Sequence, residues 1–138
     1  FADQLFGKPL EQRIETILYL TLGGKMGRLE DFRSFRERMN NRILETGNID
    51  TKRFFSLDGA VYEDGALDSK TKELMGLVAS AVLRCDDCIA YHIIQCKATG
   101  SSREEIMEAL NIALIVGGSI VIPHFRRAVE LLDELEAE

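Results

Sequence analysis

The sequence predicts an all-α protein. Apolar residues recur at three- and four-residue spacing along most of the chain. Helix start and stop signals punctuate that pattern at regular intervals, and no segment keeps the period-two alternation of a half-buried strand. No internal repeat interrupts the series. At 138 residues the chain is long enough for one domain with a real core and short for two.

The elements follow in order. Leu10, Ile14, Ile17 and Leu18 keep helical spacing, with Pro9 at the start and Gly23-Gly24 as a stop. Leu29, Phe32, Phe35, Met39 and Ile43 form a second apolar stripe that ends at Gly47. Asp50 is suited to cap a short helix carrying Phe54, Leu57 and Val61, which would end near Gly65. Asp68 can cap the next helix, from about Ser69 to Leu83, and a further one runs from about Asp86 to Ala98 and stops at Gly100. Ser102 and Glu105 have the spacing of a capping box, and Pro123 suits the first turn of the last helix. Two of these helices lack a polar face: Leu74 to Leu83 carries no charge, and Ala109 to Val116 has only Asn111. A helix apolar on every side must be covered on every side, so association of subunits is expected.

Composition narrows the function. Apolar residues make up 46% and charged residues 29%, as in ordinary globular chains rather than disordered ones. A net charge of -6 argues against nucleic acid as the main partner, because a phosphate-binding surface needs a basic excess. The one Arg-rich stretch, Arg28 to Arg42, is interleaved with Glu30, Asp31 and Glu37 and reads as a solvated or ion-paired face. The longest charge-free run, Ala109 to Phe125, has 17 residues and contains Gly117, Gly118, Ser119, Pro123 and His124, so a membrane span is not expected. Three cysteines do not make a secreted disulfide framework. With no signal peptide evident, a reducing, cytoplasmic setting is expected.

The chemistry concentrates in Cys85-Asp86-Asp87-Cys88. Two cysteines three apart at a helix start bring their Cα atoms to roughly 5 Å, within disulfide range. A cysteine there lies near unpaired N–H groups and the positive end of the helix dipole, which favours a thiolate. Asp86 and Asp87 oppose this, since neighbouring carboxylates raise a thiol pKa. His92, four residues after Cys88, shares its helix face and can take the proton. Glu73 precedes the apolar helix segment, where it is either a first-turn acid favoured by the dipole beside Lys70 and Lys72, or part of the site. Cys96 reads as a packed small hydrophobe. Zinc is a poor fit: Cys85, Cys88, His92 and Cys96 on one continuous helix would span about 16 Å, too far for one tetrahedral ion. His124, after Pro123, and Tyr91 are each readable as structural or as proton-carrying, and Gly117-Gly118 as a break or a close helix contact.

Glu73, eleven residues, Cys85-x-x-Cys88, three residues and His92 together resemble the signature of the alkylhydroperoxidase AhpD-like branch of the carboxymuconolactone decarboxylase family. The stretches Leu67 to Leu74 and Gly117-Gly118-Ser119 to Pro123-His124 are similar to small members of that branch. The resemblance implies a helical bundle of about six to seven helices over residues 29–138, with residues 1–28 as an added helical extension, and a homo-oligomer, a hexamer. It implies that Cys88 attacks a peroxide oxygen, that Cys85 resolves the sulfenic acid to a disulfide, and that Glu73 and His92 relay the proton. It implies no resident cofactor or metal. The oxidant would be an organic hydroperoxide or a disulfide, and the reductant a dithiol on a lipoyl or thioredoxin-like protein. The branch's best-known peroxidase has a histidine where this chain has Asp87. The rival readings are a protein disulfide reductase or redox relay, the lactone decarboxylase activity that names the family, and a scaffold oligomer whose cysteines sense oxidation.

Overall fold

The computed structural model describes residues 27–138. The helix expected around Leu10 to Leu18, and with it nearly all of the expected extension, lies outside the described residues. Six α-helices and no strand are found among the described residues: α1 (Arg28–Thr46), α2 (Ile49–Val61), α3 (Ser69–Val82), α4 (Asp86–Ala98), α5 (Arg103–Gly117) and α6 (Ile122–Glu136), with a single 3₁₀ turn (Ser119–Val121) before α6. The all-helical fold is therefore as the periodicity predicts. None of these helices is long and apolar enough to cross a membrane.

Local chemistry sets most boundaries. The Asp68 side chain accepts the Thr71 N–H at 2.7 Å and starts α3. Ser102 and Glu105 make the reciprocal capping box that starts α5, at 3.2 and 2.8 Å. Helix α4 ends on Gly100 at φ +85°, where the Ser101 and Gly100 N–H groups return to the Cys96 and Lys97 carbonyls. Two expectations need correction. The cap of α2 is Asn48, not Asp50: the Asn48 Oδ1 accepts from the backbones of Asp50 and Thr51 at 3.1 and 3.0 Å, and Asp50 becomes a first-turn acid. That helix also stops at Val61 rather than near Gly65, because the carbonyls of Val61 and Glu63 turn to the Lys72 ammonium.

The core lies where α3 packs against α4 and α5, with α6 closing over α4 and α1. Leu77, Ile93, Ile106, Leu110, Leu131 and Leu132 are its fully buried large side chains. The entry to α1 is capped from a distance, since Gly27 offers no side chain. The Glu134 carboxylate of α6 accepts the Arg28 and Leu29 N–H groups at 3.1 and 2.8 Å, which satisfies donors every helix start leaves open.

The stripe on α1 behaves differently from a core stripe. Only Leu29 is buried, and Phe35 is 53% exposed. The stripe instead forms one wall of an open cavity. The faces without polar residues on α3 and α5 leave Met75, Leu83, Ile112, Ile115 and Val116 exposed in the single chain. The expected stability test is local: Leu110→Ala should cost about 2–5 kcal/mol in denaturant unfolding, as a buried leucine replaced by a partly unfilled cavity.

Candidate functional site

The junction of α3 and α4 positions the reactive residues. Helix α3 closes with the Cys85 N–H on the Ser80 carbonyl and the Arg84 N–H on the Ala81 carbonyl, both at 3.1 Å. Arg84 takes the left-handed conformation, φ +60°, that this closure requires and that glycine usually fills. The turn delivers Cys85 as the N-cap of α4, where its Sγ accepts the Cys88 N–H at 3.3 Å. The two sulfurs form a disulfide across a Cα separation of 5.3 Å. Cys88 is exposed and Cys85 only partly so.

His92 follows one turn after Cys88 and points into the seam between α3 and α4. Its Nδ1 lies 2.8 Å from Glu73 Oε2, and both residues are buried, at 8% and 3% exposure. The two lysines that made Glu73 readable as a surface acid are engaged elsewhere. Lys70 pairs with Glu105 at 2.7 Å, and Lys72 binds the carbonyls of Val61 and Glu63. With Glu73 as a carboxylate accepting the Nδ1–H, the imidazole presents Nε2 as its free basic nitrogen.

Three features here go beyond the sequence reading, which named Tyr91 without placing it. Tyr62, from the end of α2, and Tyr91 flank the His92 ring at centroid distances of 5.3 and 5.2 Å. Burial, and then the charge of Glu73, pushes both phenol pKa values up, so the hydroxyls stay protonated. Gly76 is the second feature. A Cβ there would come 2.5 Å from His92 Cε1, 2.8 Å from His92 Nδ1 and 2.8 Å from the Tyr62 hydroxyl, so the bare glycine is the space in which the imidazole sits. The Glu73-x-x-Gly76 spacing, one helical turn, was the available signal.

The third is a cavity of about 370 Å³ between α1, α2 and α4. Phe32, Phe35, Met39 and Ile43 line its α1 wall, and Cys88, Tyr91 and His92 line the opposite one. Arg36 stands over the Tyr91 ring at 4.3 Å, and Asp58 and Asp87 complete the rim. Cys88 and His92 thus open on one space, which Cys85 does not line.

Other residues singled out in the sequence lie apart from the cavity. Cys96 is fully buried, and burial pushes its thiol up to about 12, as suits a packed hydrophobe. Asp86 does not stand free beside the thiols: His124 Nδ1 lies 2.8 Å from its Oδ1 and Arg127 Nη1 2.9 Å from its Oδ2. His124 is therefore outside the cavity that holds His92. Gly117 ends α5 against Val82 and Val121, a close helix contact of the expected kind. Among the described residues no three His, Cys, Asp or Glu side chains converge as a metal site.

Gly76 gives the sharpest test of this geometry. A glycine-to-alanine change inside a helix ordinarily gains about 1 kcal/mol. Gly76→Ala should instead lose about 1–3 kcal/mol by overpacking and should slow alkylation of Cys88 by displacing His92. Denaturant unfolding and thiol alkylation on the reduced protein check the two halves.

Comparisons with known proteins agree with the helical fold. Two crystal structures of a Thermotoga maritima protein are 62% identical to the chain, cover 78% of it and 95% and 91% of their own chains, and superpose with TM-scores of 0.76 and 0.74. The apo form of a carboxymuconolactone decarboxylase family protein from Legionella pneumophila is 33% identical over 76% of this chain and 87% of its own, with a TM-score of 0.56. A Paracoccus denitrificans protein, protein 4 in cox locus, is 34% identical over 83 residues, 60% of this chain and 75% of its own. The family model for carboxymuconolactone decarboxylases matches residues 51–131, which hold Glu73, both site cysteines and His92. The chain belongs to the carboxymuconolactone decarboxylase family.

Proposed function

We propose that this chain is a cytoplasmic dithiol peroxidase of the AhpD-like branch, reducing organic hydroperoxides with Cys88 as the attacking thiolate. One observation carries the reading: the exposed Cys88 and the Glu73-held His92 open on the same largely apolar cavity. One of the Thermotoga maritima structures is described as a family protein that is a candidate for involvement in antioxidative response, which supports the same class of activity.

His92 takes the proton of the Cys88 thiol, and the thiolate attacks the terminal peroxide oxygen. The S–O bond forms as the O–O bond breaks, and the alcohol leaves with a proton returned by His92. Cys85 then attacks the sulfenic sulfur, the S–O bond breaks, and water leaves as the disulfide forms. Two electrons have passed from the dithiol to the peroxide. A dithiol on a lipoyl or thioredoxin-like protein restores both thiols by exchange and is itself oxidised to a disulfide. Cys85 is suited to resolving because it sits within one turn of Cys88 and outside the cavity. Glu73 orients His92 and stabilises its protonated form between the two transfers. The apolar α1 wall fits the carbon body of an organic hydroperoxide better than it fits hydrogen peroxide.

The assembly is proposed to be a homo-oligomer, a hexamer. Ile115 is 86% exposed, and with Leu83, Ile112, Val116 and Ile120 it leaves apolar side chains open on a single chain, which a second copy would cover. Sedimentation at micromolar concentration should show the oligomer, and Ile115→Glu should dissociate it while leaving helix content intact. A stable monomer of the unaltered protein would contradict the assembly.

Stopped-flow mixing of reduced protein with an organic hydroperoxide tests the chemistry. Disulfide formation with stoichiometric alcohol, sustained when a dithiol is present, is the expected result. Rapid exchange with protein disulfides and no peroxide consumption would favour the redox-relay reading, and turnover of the lactone the decarboxylase one. His92→Gln and Glu73→Gln should each slow the peroxide reaction by about 10²–10⁴-fold. The double variant should be little slower than either single one, because the pair acts as a unit.

A further inference from the structure

Asp86 occupies the first position of α4, inside the Cys85–Cys88 loop, and is held by groups from two other helices. His124 of α6 lies 2.8 Å from its Oδ1. Arg127 of α6 lies 2.9 Å from its Oδ2, and Arg28 of α1 3.9 Å from the same oxygen. None of these side chains lines the cavity that Cys88 and His92 share. Asp87, the other acid of the motif, makes no ion pair among the described residues. In a chain of net charge -6, two arginines and a histidine have gathered on one carboxylate beside the disulfide.

The charge balance there has a direct chemical consequence. An unpaired carboxylate in the first turn repels a thiolate and raises its pKa. With Arg28 and Arg127 on Asp86, plus two meets the minus two of Asp86 and Asp87, so the clamp cancels the acidic charge of the first turn before His124 is counted. Positive charge near a thiolate stabilises the reduced pair, which makes the disulfide more oxidising. Other charged or titratable groups around the first turn are Asp87 on α4, Asp31 and Arg38 on α1 across the adjoining cleft, and Arg36 on α1, Asp58 on α2 and the Glu73–His92 pair on the cavity side. They belong to the fixed background against which the clamp acts.

We propose that Arg28, His124 and Arg127 are positioning residues that clamp Asp86 and, through it, set the thiolate affinity and reduction potential of the Cys85–Cys88 pair. This rests on the redox reading of that pair but not on peroxide as its oxidant. Reduction of the disulfide takes two electrons and two protons from a dithiol, which leaves as a disulfide. The ease with which a resulting thiol then gives up its proton is what the clamp biases. His124 and Arg127 are one helical turn apart on α6, so a single helix face supplies two of the three contacts.

Asp86→Asn, Arg127→Gln and the double variant test this in the full chain. Equilibration with oxidised and reduced lipoic acid gives the potential, and the pH dependence of alkylation gives the thiolate. Arg127→Gln should slow alkylation about two- to tenfold below the thiol pKa and make the pair more reducing. Asp86→Asn should do the opposite, and the double variant should return toward the unaltered protein, since the two charges cancel. A merely structural clamp would move both singles in the same direction. That result, or changes below twofold in both, would overturn the proposal while leaving the redox reading in place. A wild-type pair that cannot be cycled between dithiol and disulfide would overturn both. Arg127 is exposed enough for its replacement to fold, and Asn at position 86 keeps an acceptor for His124, so the comparison does not depend on one variant.

Discussion

The buried hydrogen bond between Glu73 and His92 is the contact on which the rest of the site depends. It crosses from α3 to α4, the two helices at the centre of the core, and it fixes the face that α4 turns toward the cavity. Such a pair is not there for stability. Desolvating a carboxylate and an imidazole costs several kcal/mol, and an apolar pair of similar volume would hold the helices together as well or better. Its surroundings are arranged to tolerate it. Gly76 leaves the volume for the ring, and two protonated phenols flank it without competing for the Nδ1 position. A polar contact retained at that cost, one turn from a dithiol, is what the proposed effect on the thiol would require.

Packing along α1 is incomplete. Helix α1 is anchored at its first turn by the Glu134 carboxylate and by Leu29, and farther along it lifts its apolar stripe away from the core. The amphipathic pattern that would ordinarily drive a helix onto its neighbours instead lines an opening above Cys88 and His92. Burial forgone along Phe35 and Ile43 is traded for a space in which an apolar molecule can meet the sulfur. Anchoring and opening are linked, because a helix capped from α6 and clamped through Arg28 to Asp86 is held at its N-terminal end, next to the first turn of α4.

The sequence made the helices legible where side-chain chemistry is local. The caps at Asp68 and Ser102, the stop at Gly100 and the paired cysteines are read from neighbours within a few positions. The start of α2 was misassigned by two residues because Asn48 and Asp50 are both capping residues, and only backbone geometry chooses between them. What could not be read was long-range. Nothing near Glu73 in sequence announces that its lysine neighbours bind elsewhere, and the spacing of α1 is the same whether its stripe meets a core or a cavity. The offset to Asp86 could not be read for the same reason, since the groups that pair with it lie about 40 residues further on and 58 residues back.

Two cysteines of opposite exposure sit on one helix. Cys88 and Cys96 share α4 and lie little more than two turns apart, so neither helix propensity nor residue type distinguishes them. Cys96 faces the core, where burial first, and then the nearby charge of Glu73, pushes its thiol up to about 12 and removes it from chemistry at neutral pH. Cys88 faces the opening at the other end of the same helix, near unpaired N–H groups and a base held by that same Glu73. On the function proposed above, the carboxylate that disfavours one thiolate directly favours the other through the imidazole. Reactivity is therefore placed by the fold, through which end of α4 each sulfur occupies, rather than by the cysteine itself.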